Sequence, residues 1–405
     1  MKTYEQVDNY MQEIGLKYVK SSNEFIAGLA VRTNKDYTQK VAAELNSRAK
    51  HSNSSNMVFY KLKNETFDGS IYISAAFDGG LFRHLGNLII DYAELFDSKQ
   101  ILDLACDCGI VTCFIAKMYP NCHITGVDVN SSAIENANKL KEKLGLDNVD
   151  FVCSDVFEYA GENKADTVVT FRALLDTCMV QTKDLPFFGE RSWREEQYKN
   201  AFLPFINIIE NNIKPDAKVL SVERYTADYG WLGYMMALEE KGLHTNSEKS
   251  AIMRASDISS VKEYSVTYAG YSENDTYQKT FDDVLSREYK AGQGYEGAMA
   301  EFALYYDSEG EISFADIYKD DKLLHQFAIA ESKKGKIIYY EASGNRKKVK
   351  YFNAKKKDTV EKQLLDNLSL YSEKYIQLIN IISRIYFLES FFKKFIIYLL
   401  VIQNA

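Results

Sequence analysis

Between residues 100 and 222, short apolar runs alternate with stretches in which apolar side chains recur at helical spacing. Ile101–Leu104, Cys122–Val127, Val149–Cys153, Thr167–Phe171 and Val219–Val222 are predicted strands. Ile110, Val111, Phe114, Ile115 and Met118 share one face of a 3.6-residue period, which predicts a helix over Ile110–Met118 that Pro120 stops. Ser132 and Glu135 have capping-box spacing for a helix over Ala133–Leu144, and Gly145 is placed for a left-handed cap. Such alternation implies an α/β fold: a mainly parallel sheet with helices on both faces.

The flanks follow other patterns. Residues 1–75 open with an amphipathic helical stretch, pass through polar residues around His51–Asn56, and then show short alternating, strand-like runs at Met57–Leu62 and Ile71–Ala75. This reads as a helical or mixed lid or dimerisation segment. Leu81–Phe96 has helical spacing and leads into the first strand, so the α/β domain is expected over 76–245. Residues 246–375 read as an α+β unit for substrate or partner, with strands at Glu311–Tyr318, Leu323–Ala330 and Gly335–Ala342 and a helix near Thr359–Tyr371. The apolar tail 376–405 is interrupted by Arg384, Glu389, Lys393 and Lys394, so its final run Phe395–Ile402 is far short of a bilayer span. A helix docked on the body or a poorly ordered end is favoured there over an interfacial or dimerising helix.

Composition narrows the class. With 46% hydrophobic and 26% charged residues, the 405-residue chain has the apolar content for sizeable cores, and its length favours two or three units. The net charge of −8 disfavours generic nucleic-acid binding, which needs a basic field. Cys106, Cys108, Cys113, Cys122, Cys153 and Cys178 lie within predicted strands, helices and their connections, and no secretory leader precedes them. Free thiols in the cytoplasm are therefore expected, and no metal set, because neither a C-x-x-C pair nor a Cys/His cluster completes four ligands.

The stretch from Ile101 to Gly109 places an apolar strand before a loop of small and turn-tolerant residues that opens a helix. A nucleotide can lie on such a loop, because small residues let the backbone approach it and the helix offers free N–H groups. Asp128 ends the next strand, where a carboxylate can accept both ribose hydroxyls. Ser154-Asp155-Val156 closes the third, where an acid can meet the adenine amino group. Each acid alone is commonly an ordinary turn residue. Their ordered appearance at three successive strand ends favours a cofactor.

Through these motifs the sequence resembles the class I (Rossmann-like) S-adenosylmethionine-dependent methyltransferase family, over about 150 residues. The resemblance implies that Asp103, Ala105, Cys106 and Gly109 serve the methionine portion of S-adenosyl-L-methionine. It assigns Asp128, with Val129 beside it, to the ribose, Asp155 and Val156 to the adenine edge, and Phe171-Arg172 to the strand end facing the donor methyl group. Lys214-Pro215-Asp216-Ala217-Lys218 is similar to the turn before the family's fifth strand. The loop departs from the family's G-x-G-x-G spacing with Ala105, Asp107 and Gly109, and Asp107 sets a carboxylate near a cofactor that carries one.

The expected activity is methyl transfer to an acceptor that the sequence does not identify, a small molecule or protein being favoured over nucleic acid. Two alternatives stay open: a noncatalytic cofactor- or partner-binding protein with a degenerate loop, and an NAD-dependent reductase, whose G-x-G-x-x-G loop Ala105, Asp107 and Ile110 do not meet. Catalytic residues are not specified; Arg172 and Asp176, just beyond the fourth strand, are the weak candidates, with a surface salt bridge slightly favoured for them, and Asp184–Arg194 reads equally as a substrate-covering loop or a packed connection. The basic run Arg346, Lys347, Lys348, Lys350, Lys355, Lys356 and Lys357 reads either as a solvated hairpin edge or, less favoured, as a nucleic-acid contact. Homo-oligomerisation is left open.

Overall fold

The computed structural model describes residues 2–16, 19–50, 56–178, 185, 191–224, 229–256, 261–319, 322–343 and 346–374. The chain divides into two compact units, Met1–Leu185 with Glu195–Arg287, and Pro186–Arg194 with Glu288–Ala405.

In the first unit the five predicted strands become β1 (Gln100–Leu104), β2 (His123–Asp128), β3 (Val149–Cys153), β4 (Ala165–Phe171) and β5 (Ile213–Glu223). They run parallel in the order β3-β2-β1-β4-β5. The order reverses between β1 and β4, which opens a crevice beyond the carboxyl ends of those strands. Leu104, Ile124, Val127, Val168, Val169 and Leu220 are buried, as strands covered on both faces require. The turn expected at Lys214–Lys218 is instead an irregularity inside β5, between the pairings Ala165↔Ile213 and Thr167↔Lys218.

The sheet continues past the boundary expected at residue 245. After β6 (His244–Thr245) and β7 (Ala251–Ser256), β8 (Val261–Gly270) runs antiparallel to β5 and pairs with β6 and β7. The 76–245 division therefore cuts the sheet: it would leave β5 with an open edge, whose backbone groups β8 satisfies.

Among the described residues, α1 (Glu5–Glu13), α2 (Ser22–Arg32), α3 (Lys35–Lys50), α4 (Asn56–Lys63), α5 (Phe67–Phe77) and α6 (Gly79–Asp91) precede β1. The runs Met57–Leu62 and Ile71–Ala75, read above as strand-like, lie in α4 and α5. Thr66 caps α5 by accepting the Gly69 N–H, and every residue from Gly69 to Ala76 is buried, so no polar face marks the helical period. Val7, Tyr10 and Met11 of α1 share a core with Leu85 and Ile89 of α6, and the Tyr10 hydroxyl donates to the Ile110 carbonyl at 2.6 Å. Burying each of those three side chains contributes about 1.5–3 kcal/mol. Helix α1 is thus packed into the first unit.

The helices that follow are α7 (Ile110–Met118), α8 (Ser131–Leu144), α9 (Leu174–Thr177), α10 (Arg191–Asn212), α11 (Tyr229–Glu240) and α12 (Tyr277–Glu288). The cap of α8 is Asn130, which accepts from the Ser132 and Ala133 N–H groups, and not Ser132: the helix starts two residues earlier than the capping-box spacing places it. Gly145 ends α8 in the left-handed conformation expected of it, at φ 63°. Cys106, Cys108, Cys113, Cys122 and Cys153 are free thiols.

In the second unit β9 (Tyr295–Glu296), β10 (Ser308–Lys319), β11 (Lys322–Ser332), β12 (Lys336–Ser343) and β13 (Arg346–Asn353) form an antiparallel sheet in the order β10-β11-β12-β13-β9. The alternation along β12 serves two cores. Ile338, Tyr340 and Ala342 pack with Ala300, Ala303 and Leu304 of α13 (Ala298–Asp307), and Ile337 and Tyr339 with Val360, Leu364 and Leu368 of α14 (Lys357–Lys374). The basic run is therefore largely the strand β13, lying between β12 and β9. Lys347 is buried and, with buried Arg194, donates to the Glu301 carboxylate. It is no part of a solvated edge. The tail 376–405 and most of Asp184–Arg194 lie outside the described residues. No helix among the described residues is long and apolar enough to cross a membrane.

Burial alone would raise the Glu301 carboxyl, but Lys347 and Arg194 more than offset this and hold it down at about 2. Lys347→Met is expected to cost about 3–5 kcal/mol in equilibrium denaturant unfolding of this unit near neutral pH, since it leaves a buried charge with one partner fewer. A carboxyl depressed below its unfolded value stabilises above that value and loses its contribution as pH falls through the folded one. The gap between variant and wild type should therefore close between about pH 4.5 and 2. A gap below about 1 kcal/mol at pH 7 would contradict the triad's role.

Candidate functional site

The site grows out of the loop between β1 and α7. Ala105, Asp107 and Gly109 have φ of 62°, 50° and 72°, so every second residue is left-handed. Gly109 is needed for a further reason: a Cβ there would stand 2.7 Å from the Phe151 ring. The loop is tied to β2 by Cys106 N–H donating to the Val127 carbonyl at 3.0 Å and Asp107 N–H to Asp128 Oδ2 at 2.9 Å. Gly126 lets β2 approach, because a Cβ there would meet Phe151 at 2.8 Å and Cys106 Sγ at 2.9 Å.

Asp128 stands at the end of β2, with its second oxygen accepting the Asn130 N–H at 2.8 Å. Burial, and then the Asp107 charge, raise its carboxyl to about 6. Val129 beside it is exposed. Asp103 is the penultimate residue of β1. It is buried beneath the loop, accepting from Thr112 Oγ1 of α7 at 2.7 Å, and burial raises its carboxyl to about 7. Its geometry holds β1 to α7. Asp155 is exposed after β3 and accepts the Phe157 N–H at 2.9 Å, with Val156 buried next to it. Ala105, Cys106, Gly109, Asp128 and Asp155 thus lie at the carboxyl ends of β1, β2 and β3, as the sequence placed them.

Phe171 ends β4, and the next residue, Arg172, is left-handed at φ 61°. Its backbone N–H donates to the Val222 carbonyl, its guanidinium pairs with Asp78 at 2.6 Å, and its Nε is buried without a partner among the described residues. Asp176 in α9 accepts from the Tyr60 hydroxyl at 3.0 Å and from Arg224 at 3.3 Å. Glu223, buried at the end of β5, accepts from Thr170 Oγ1 and from the N–H groups of Ala173 and Leu174 at 2.9, 3.3 and 3.2 Å. Burial raises its carboxyl to about 7. It fixes the turn that carries Arg172.

Several of these residues escaped the sequence reading. Lys63, at the end of α4, donates to Asp107 Oδ2, and Asn64 donates to Asp107 Oδ1 at 3.1 Å. Asn130 Nδ2 donates to the Tyr60 carbonyl at 3.3 Å, and Asn136 Nδ2 to the Asn64 carbonyl at 3.0 Å. Helix α4 therefore reaches the ends of β1 and β2 and, through Tyr60, the segment after β4. A helix-start signal could have singled out Asn130, but nothing local to Lys63 or Tyr60 announces contacts made across tens of residues.

The residues fit the implied cofactor. An ionised carboxylate has about four lone-pair directions, and Asp128 spends one on each of two backbone N–H groups. Acceptor capacity remains for a pair of hydroxyl donors.

Residues 95–228 match a family model described as a methyltransferase domain. The probable (S)-tetrahydroprotoberberine N-methyltransferase 2 of Papaver bracteatum is 29% identical over 121 residues, which cover 27% of this chain and 34% of that protein. N-methyltransferase 4 of Papaver somniferum is 25% identical over 223 residues, covering 53% and 58%. The chain thus spans between about a third and somewhat over half of these relatives' lengths. Among solved structures, the N-methyltransferase NodS of Bradyrhizobium japonicum WM9, in complex with S-adenosyl-L-homocysteine, is 12% identical and covers 54% of this chain and all of its own, with a TM-score of 0.39. The matched segment holds β1 to β5, the left-handed loop and Asp128, so the methyltransferase-domain match falls on the Rossmann-like sheet and its cofactor loop.

Proposed function

We propose that this chain transfers a methyl group from S-adenosyl-L-methionine to a nitrogen on a small-molecule acceptor. The observation that carries the donor half is the Asp128 carboxylate, held by two backbone N–H groups at the mouth of the left-handed loop. The acceptor half is supported by the N-methyltransferase names of the relatives. The noncatalytic reading rested on an uncompensated Asp107, and Lys63 with Asn64 compensates it.

When bound, the donor supplies an electrophilic methyl group on a sulfonium. This chain's residues have then to bind, orient and exclude water, since positioning provides most of the rate in such a displacement. Ala105, Cys106 and Gly109 offer close backbone approach, Asp128 takes the ribose hydroxyls, and Asp155 and Val156 flank the adenine edge. On the acceptor side, Glu223 holds the turn after β4, so Arg172 and Asp176 project from a fixed backbone. Asp176 with Tyr60 is the group placed to hold, or accept a proton from, an amine.

Labelled methyl donor incubated with the protein and fractionated cell extract should put label into small-molecule amines. Label in protein or nucleic acid would overturn the acceptor class, and donor binding without any label would overturn turnover.

Asp128→Ala should leave the far-UV spectrum unchanged and weaken S-adenosyl-L-homocysteine binding by about 10- to 100-fold in calorimetric titration, the worth of hydrogen bonds to a charged group. An affinity within about twofold of wild type would rule out the ribose role. Because the carboxyl is raised to about 6, its acceptor form is lost below that pH. Wild-type affinity should fall as pH drops from about 7 to 5, and the fall should be smaller in Asp128→Ala.

A further inference from the structure

The loop after β1 carries an acid where the methyltransferase family commonly has glycine, and the acid is answered from far along the chain. Lys63 is nearly enclosed, with 6% of its side chain exposed, and its ammonium sits on Asp107 Oδ2. Tyr37 fixes the end of α4 by donating its hydroxyl to the Lys63 carbonyl at 2.9 Å. Asn64 holds the other Asp107 oxygen, and Ser70 of α5 in turn donates to Asn64 Oδ1. Burial is the largest influence and works against a charged lysine here, but the Asp107 charge and hydrogen bond, with the Cys108 and Tyr60 groups beside them, together more than offset it and keep Lys63 protonated.

Asp107 is coupled to the proposed ribose ligand as well, since its own N–H donates to Asp128. Two carboxylates therefore stand side by side at the cofactor loop, and Lys63 is the cation ion-paired with Asp107 among the described residues. The groups facing its ammonium are Asp107, the Cys108 thiol and the Tyr60 hydroxyl. The amino-acid portion of the donor carries an α-carboxylate beside its α-ammonium, and at a loop that already holds two carboxylates the carboxylate end meets like charge in a partly buried site, where such repulsion is weakly screened.

We propose that Lys63 is a specificity-determining residue of the donor site: by neutralising Asp107 it allows the loop after β1 to accept a ligand that carries its own carboxylate. This rests on the donor reading given above. It makes the amino-terminal segment part of the cofactor site, and it makes Lys63 and Asp107 a unit in which the loss of one member is tolerated only if the other is lost too.

The test is a double-mutant cycle in the full chain with Lys63→Met, Asp107→Gly and the double variant. Two ligands are titrated calorimetrically: S-adenosyl-L-homocysteine, and 5′-methylthioadenosine, which keeps the nucleoside and lacks the amino-acid portion. Lys63→Met should lose about tenfold or more in affinity for S-adenosyl-L-homocysteine and no more than about threefold for 5′-methylthioadenosine. The double variant, which leaves neither charge unpaired, should return to within about threefold of wild type for both. Thermal unfolding of each variant identifies any that does not fold, and the double variant keeps the cycle informative if Lys63→Met is lost.

Equal losses for the two ligands would overturn the proposal, because they describe a structural lid without charge selectivity. So would a double variant as weak as Lys63→Met. A wild-type chain that binds 5′-methylthioadenosine but not S-adenosyl-L-homocysteine would overturn the proposal while sparing the nucleoside contacts of the donor site. Binding of neither ligand would overturn the donor reading, and the proposal with it.

Discussion

The Asp128 carboxylate accepts the Asp107 N–H with one oxygen and the Asn130 N–H with the other, and much of the site hangs on this pair of bonds. The first ties the end of β2 to the loop after β1, and the second sets the turn into α8. Both depend on the parallel pairing of β1 with β2, which runs in register from Gln100↔His123 to Leu104↔Val127 and brings the two strand ends level. That loop adopts three left-handed residues in alternation, two of them not glycine, at a cost of about 1–2 kcal/mol each. Its bonds to Val127 and Asp128 are what hold it there.

A second constraint is electrostatic. Asp103, Asp107 and Asp128 lie close together, and burial raises the first and last well above ordinary carboxyl values. The structure meets this in three ways: Asp103 turns inward to Thr112, Asp128 takes backbone N–H groups, and Asp107 takes Lys63 and Asn64. The amino-terminal helices supply the last of these. Their packing into the core of the first unit and their polar contacts to the strand ends belong to one arrangement.

The strands and helices of the α/β domain were legible because fully buried strands are short continuous apolar runs and α7 carries a clean helical stripe. The loop and strand-end acids were legible for a related reason: β1, β2 and β3 each end in the segment that reaches the crevice. Helices α4 and α5 were not, since α5 is buried all round and lacks the polar face that marks a helical period. The extension through β8 was missed because antiparallel closure of an edge leaves no local signature. Lys63, Tyr60, Asp78 and Glu223 were hidden for the commonest reason, that each acquires its role from partners far away in sequence. Lys347 taught the converse lesson: within an apparently solvated basic run, strand alternation turned one lysine into the core beside Glu301.

The most direct test of the account is a crystal structure of the chain grown with S-adenosyl-L-homocysteine at saturating concentration. The account predicts ligand density on the loop from Ala105 to Gly109, with both ribose hydroxyls within hydrogen-bonding distance of the Asp128 carboxylate. Density elsewhere, or a ribose turned away from Asp128, would contradict it.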